Sequence, residues 1–278
     1  MTPSLIPSLI PELPRLKIVD VGAMTLGADT DPYARLLRAL ACEVVGFEPL
    51  VPECEKLNRG AGPQRTYLPF VVGDGSEQTF HLCSAPMTSS LFEPNTALLA
   101  LFHQLEEMVR VLDTQRVQTR RLDDIPEAAG ADYLKVDVQG AELMVFQGAA
   151  RLLRDVLVIH TEAEFVPLYK GQPLFGDLDA FLRGQGFLLH RLAAVSGRQM
   201  RSLPPRPEAK LNQFLWCDAI YVRDFTAFDA LAPLQLLKLA AILHENYDAH
   251  DLAAAALQAH DRRTGDDRHP RYAQRLPR

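Results

Sequence analysis

The chain has 278 residues, 47% hydrophobic and 23% charged, with a formal net charge of -6. That balance buries a core and excludes a disordered chain. The net negative field repels polyanions and argues against nucleic acid as a substrate.

One α/β domain suits this length. Cys42, Cys54, Cys83 and Cys217 form no C-x-x-C pair and fall in segments read as helix or strand, so free thiols and a reducing cytoplasm are expected. The opening MTPSLIPSLIPELPR carries no positive charge before Arg15, and its prolines interrupt the apolar run. It therefore does not read as a signal peptide, and no stretch is long enough to span a bilayer.

Residues 1–16 read as an N-terminal extension. KIVDVGA from Lys17 is a β-branched run closed by a glycine, a buried parallel strand. DPYARLLRAL follows as a helix behind an Asp cap and a first-turn Pro, and EVVGFEP returns to strand, which makes a βαβ unit. PECEKLN gives a short helix and RTYLPFVVGDG a third strand. QTFHLCS reads as an extra strand, SSLFEPN as a loop, and Thr96 to Arg110 as one helix.

ADYLKVDVQGAELMVFQGAARLLRD carries a strand, a sharp turn and an amphipathic helix, and VLVIHTEAEF the next strand. FGDLDAFLRGQG is a helix, and FLLHRL and FLWCDAIYVRD are strands expected to form an antiparallel edge hairpin. The pattern predicts an α/β domain over residues 17–226: a mostly parallel, doubly wound sheet with right-handed crossovers. Residues 227–260 predict a helical pair packed on the domain or against a second subunit, which leaves a homodimer open. Residues 261–278, rich in Arg, Asp and Pro, predict a solvated tail.

In an open α/β sheet, ligands sit at the carboxyl ends of the strands. After the first strand come Asp20, Gly22, Ala23 and, further on, Gly27, a turn without bulky side chains where a cofactor can approach the backbone. A tight turn alone has the same composition. The segment is not G-x-G-x-x-G, and no Lys-Ser or Lys-Thr follows Gly27, so neither a pyrophosphate turn nor a P-loop is present.

Glu48 ends the second strand 21 residues after Gly27, where a carboxylate can accept both hydroxyls of a ribose. Asp74 ends the third, where it can meet an adenine amino group or simply favour a β-turn. Together these outline a nucleoside site without a pyrophosphate turn, which favours an adenosyl-sulfonium over NAD.

Asp137, flanked by Lys135, Gln139 and Glu142, ends the fourth strand as a candidate proton acceptor, cofactor contact or helix cap. His160 and Glu162 close the fifth strand, with Glu164 beyond. His160 is a candidate base or a packed core histidine. Asp137, His160 and Glu162 could hold a divalent cation, but no fixed ligand spacing supports one, and no metal is expected.

The segment DYLKVDVQGAELMVFQGA at 132–149 resembles the signature of FkbM-type methyltransferases, and DVGA, GFEP, SSLFEPN, RRLDDI and FVPLY follow that family's order across about Lys17 to Leu192. The resemblance implies a Rossmann-like class I methyltransferase that uses S-adenosyl-L-methionine for O-methylation of sugars, glycans or polyketide-like products. It carries Asp20, Gly22, Glu48 and Asp74 to the cofactor, and implies cofactor contacts for Ser89 and Ser90, which are otherwise ordinary loop serines. The usual DVGAN is here DVGAMTLG, which moves the second glycine to Gly27 and replaces Asn by Met24.

The acceptor site is expected from Thr96 to Arg121, Pro167 to Phe175 and the C-terminal helices, with Phe165, Tyr169 and Phe175 as stacking surfaces or core. Two other readings stay open: a Rossmann oxidoreductase, disfavoured by the missing glycine turn, and a non-catalytic partner-binding protein working through its C-terminal helices.

Overall fold

The computed structural model describes residues 5–24, 31–205 and 213–276. Nine strands occur among them: β1 (Leu16–Val21), β2 (Cys42–Phe47), β3 (Arg65–Leu68), β4 (Glu77–Cys83), β5 (Val111–Gln118), β6 (Tyr133–Val136), β7 (Val158–Glu164), β8 (Phe187–Ser196) and β9 (Trp216–Arg223). Seven form one sheet in the order β3-β2-β1-β6-β7-β9-β8, and β4 and β5 pair separately. Strands β1, β2, β3, β6 and β7 run parallel, while β9 is antiparallel to both β7 and β8. The order reverses direction between β1 and β6, the switch point at which an α/β sheet opens a crevice. The fold is Rossmann-like, of the class I methyltransferase type.

The helices are α1 (Leu5–Leu9), α2 (Ala34–Ala39), α3 (Val51–Gly60), α4 (Thr96–Leu99), α5 (Leu105–Met108), α6 (Glu142–Gln147), α7 (Phe175–Gly184), α8 (Pro233–Tyr247), α9 (His250–Thr264) and α10 (Arg268–Arg275). Side chains alternate across the strands, so Ile18, Tyr133 and Val158 face one layer while Val19, Leu134 and Ile159 face the other. The first layer is covered by α2, α8 and α9, the second by α6 and α7. Both faces being covered explains why β1 and β6 read as nearly unbroken apolar runs.

Helix α8 buries Leu236, Leu239, Ile242 and Leu243 completely, each worth about 1.5–3 kcal/mol of apolar burial. Lys238 also donates to both Asp132 carboxylate oxygens at 2.8 Å, and Asp132 accepts the Lys17 amide at 2.9 Å. The C-terminal pair is thus part of the same packed body as the sheet.

Four sequence expectations change. The helix expected behind an Asp cap and a first-turn Pro is α2, which begins at Ala34 with Tyr33 at its N-cap, so Asp31 and Pro32 precede it. Residues 261–278 were expected as a solvated tail, yet α9 runs to Thr264 and α10 docks with Tyr272 fully buried. One aromatic anchors the helix, its hydroxyl 2.8 Å from His244 Nδ1, while Arg268 pairs with Glu12 and Asp266 at the surface. The single helix expected over Thr96–Arg110 is two short ones, α4 and α5, separated by residues that include Gln104 at φ 71°. Strand β5 was not anticipated: its residues are almost all exposed, so no buried face imprints an apolar alternation on VLDTQRVQ.

Candidate active site

A cleft of about 350 Å³ opens at the carboxyl ends of β1, β2, β6 and β7. Its floor is set by backbone geometry at Gly22, where φ is +77° and an added Cβ would lie 1.9 Å from the Asp137 carbonyl oxygen. The glycine is therefore required by the close approach of the β1 and β6 turns. The amides of Gly22 and Ala23 both donate to the Phe47 carbonyl at 3.0 Å, and the Asp137 amide donates to Val21 at 3.0 Å, so three strand ends are locked together.

Gly22, Met24, Phe47, Glu48, Leu50 and Phe70 line one half of the cleft. Glu48 is 3% exposed. Its Oε1 accepts the Leu50 amide at 2.8 Å, which leaves Oε2 as an acceptor. Burial raises the Glu48 carboxyl above its usual range, against the opposing Leu50 amide.

Lys135 organises the layer beneath. It is 7% exposed and donates to the Gly22 carbonyl at 2.6 Å, with Asp20 at 3.2 Å and Asp137 at 3.9 Å. Burial opposes its charge, but the Asp20 and Asp137 carboxylates outweigh that, and its pKa is raised. Tyr33 donates to the other Asp20 oxygen at 2.6 Å. Asp20 is accordingly a buried anchor for Lys135 and does not line the cleft.

Asp137 and Glu162 do line it. The Gln139 amide nitrogen donates to Asp137 Oδ1 at 2.9 Å and to Glu162 Oε2 at 2.7 Å, bridging the two carboxyls. Gln139 holds this position from a backbone φ of 59°, fixed by the buried Ser90 hydroxyl, which donates to its carbonyl at 2.7 Å. Tyr169 donates to the Thr88 carbonyl at 2.9 Å and lies 3.2 Å from Gln139 Oε1.

Glu142 accepts the amides of Val138 at 2.8 Å and Gly140 at 3.2 Å. Asp137, Glu142 and Glu162 each offer an oxygen within 4.8 Å of the others. Crowded carboxyls cannot all ionise cheaply. Burial first, then the neighbouring acids Asp137, Glu164, Glu142 and Asp218, push Glu162 well above the usual carboxylate range. Burial pushes Glu142 up to about 7, against the amides that hold it down.

The structure separates several residues that the sequence grouped. His160 lies outside the cleft, 8% exposed, with Nδ1 3.2 Å from the Tyr247 hydroxyl and Nε2 3.4 Å from Asp218. It sits four residues before the strand end and packs under α8, so neither the proposed base nor the His-containing cation triad is formed. Asp74 is exposed and caps its own turn through the Ser76 amide at 2.9 Å, outside the cleft.

Ala23 is buried with Cys54 and Tyr67. Ser89 lines the cleft with its hydroxyl accepting the Cys83 amide at 3.0 Å, whereas Ser90 only braces Gln139 and Phe92. Gly27 lies outside the described residues.

The far wall comes from Leu99, Leu105, Met108, Leu168, Tyr169 and, beyond the segments expected to form it, Arg198 and Trp216. Residues of the C-terminal helices are absent from the described lining, and Phe165 and Phe175 pack on each other at 5.7 Å. No motif marks Arg198 or Trp216. Trp216 was the one visible clue, as the single tryptophan of the chain.

No curated protein matches the sequence. Among solved structures, the chain is similar to precorrin-6y C5,15-methyltransferase from Geobacter metallireducens GS-15, at 12% identity and a TM-score of 0.37, covering 79% of this chain and 86% of that one. It is also similar to a SAM-dependent methyltransferase from Aquifex aeolicus, at 9% identity and a TM-score of 0.34, covering 78% and 89% respectively. The family model for the methyltransferase FkbM domain matches residues 20–189. That match spans more than half of the chain and includes the cleft-lining ends of β1, β2, β6 and β7, so the chain belongs to the FkbM methyltransferase family.

Proposed function

We propose that this methyltransferase uses S-adenosylmethionine and delivers the methyl group to a hydroxyl oxygen of a small molecule. The observation that carries the reading is the convergence of Gly22, Glu48 and Asp137 on one cleft, at neighbouring strand ends, without a pyrophosphate-binding turn. The donor set fits the cofactor: Glu48 offers a buried carboxyl oxygen for a ribose diol, Phe70 and Leu50 offer apolar walls, and Asp137 is a carboxylate facing the cleft. Bound there, S-adenosylmethionine supplies a sulfonium methyl group open to attack by oxygen.

This chain's residues then position and deprotonate. Gln139 fixes Asp137 through its amide, and Lys135 keeps positive charge beside it. Asp137 orients the acceptor hydroxyl and takes its proton, while Glu162, held toward its neutral form by burial and acidic neighbours, serves as a hydrogen-bonding partner. Orientation can supply about 7–11 kcal/mol of barrier lowering, and a general base roughly 10²–10⁴-fold in rate. Loss of Asp137 therefore slows turnover without abolishing it. The four buried, free cysteines fit a reducing cytoplasm.

Calorimetric titration with S-adenosylmethionine, S-adenosylhomocysteine and NAD tests the cofactor reading. Both sulfur nucleosides are expected to bind and NAD not to. Glu48→Ala is expected to weaken binding by about 10–100-fold, the worth of hydrogen bonds to a charged group. Failure of both sulfur nucleosides to bind, or preference for NAD, would overturn the proposal.

A further inference from the structure

Resting on that reading, we infer that the acceptor is an amphipathic hydroxy-carboxylate, an apolar body with one anionic end, and that Arg198 recognises the anion. The far half of the cleft is walled by Met87, Leu91, Leu99, Leu105, Met108 and Leu168, all aliphatic or thioether side chains. Its hydroxyl groups are partly engaged already. Thr88 donates to the Ala85 and Met108 carbonyls, Ser89 accepts the Cys83 amide, and Tyr169 donates to the Thr88 carbonyl. Among these aliphatic walls a sugar finds few partners for its several hydroxyls, each unpaired one costing about 1–3 kcal/mol, whereas a hydrocarbon body needs none.

Charge in the cleft is divided. Among the described lining residues the acids Glu48, Asp137 and Glu162 lie at the β2, β6 and β7 ends, and Arg198 is the one cation. Its guanidinium lies over the Trp216 ring, 5.0 Å from the centroid, and donates through Nη1 to the Gly197 carbonyl at 2.9 Å. No carboxylate pairs with it among the described residues, in contrast to nearby Arg201, which pairs with Glu106 and Glu107.

Trp216 begins β9, two strands from β6 and three from β1 in the sheet order. At about 4.8 Å per strand, the β9 backbone carrying Trp216, over whose ring Arg198 lies, is on the order of 10 Å across the sheet from β6 and farther from β1. That places Arg198 on the acceptor side, at a separation matching a hydroxyl and a carboxylate at opposite ends of a medium-length chain. The planar guanidinium can pair bidentately with a carboxylate.

Trp216 is the only tryptophan in the sequence, so its fluorescence reports binding at this wall. With the protein saturated with S-adenosylhomocysteine, 10-hydroxydecanoate, its uncharged methyl ester and methyl glucoside are titrated against wild type, Arg198→Met and Arg198→Lys. The acid is expected to bind wild type at least about tenfold more tightly than the ester, one charge-assisted contact's worth. Arg198→Met is expected to erase that preference while leaving ester affinity unchanged, and Arg198→Lys to keep part of it.

Equal binding of acid and ester by wild type, an undiminished preference in Arg198→Met, tighter binding of the glucoside, or no binding of the acid would each overturn the inference. Saturation with S-adenosylhomocysteine is verified beforehand by calorimetry. A failure at that step defeats the cofactor reading, and a failure after it defeats only the assignment of the acceptor.

Discussion

Replacing Lys135 by Met removes the cation that holds the β1 turn to β6 and leaves Asp20, 4% exposed, without its ion partner. At 3.2 Å and an effective dielectric near 20, the gross attraction is about 5 kcal/mol. The measured loss should be about 3–5 kcal/mol, because stripping one partner from a buried pair strands the other charge. The Gly22 carbonyl also loses its 2.6 Å donor, so affinity for S-adenosylhomocysteine should fall together with stability.

Asp20→Asn combined with Lys135→Met tests the cause. Asparagine still accepts the Tyr33 hydroxyl but carries no charge, so the double variant should recover most of the lost stability. Urea unfolding of wild type, both single variants and the double completes the cycle. A loss below about 1 kcal/mol in Lys135→Met, or a double variant as unstable as the sum of the singles, would refute the reasoning.

Two further predictions follow from the buried acids and the docked C-terminus. The Glu142 carboxyl is raised to about 7, so its favourable contribution is full below its ordinary pKa of 4.5 and is lost as pH rises through about 7. Glu142→Gln keeps an acceptor for the Val138 and Gly140 amides. It should gain up to about 3 kcal/mol over wild type between pH 5 and pH 8. A flat or reversed difference in chemical unfolding across that range counts against a buried acid. Tyr272→Ala removes the one fully buried side chain of α10, at a cost of about 3 kcal/mol to local docking. Trypsin should then cut at Arg268, Arg271 and Arg275 first, and unchanged digestion would show that the helix is held by other contacts.

Much of the fold was legible because local patterning and tertiary environment agree. Apolar runs such as KIVDV and YLKV occur where strands are covered on both faces, and the Ala- and Leu-rich stretch read as a helical pair is α8 and α9. Legibility failed where one face is bare or one residue does the anchoring. β5 is exposed and so shows no apolar period, and α10 depends on Tyr272 among arginines that compositionally resemble a solvated tail.

For the site, the sequence by itself determined which strand ends carry acids and that the first turn needs glycine, since those follow from chain order and from residue chemistry. It could not determine depth or direction. The sequence set Asp20, Asp137 and His160 alike at or near strand ends, yet only Asp137 reaches the cleft, because Asp20 is turned under Lys135 and His160 lies within β7, capped by Tyr247 from α8. The far wall was decided wholly by tertiary structure. Arg198 belongs to the β8–β9 connection and Trp216 begins β9, some 60 residues or more from Asp137 in sequence. They reach the same cleft because β9 inserts antiparallel beside β7, a pairing that only the folded sheet specifies.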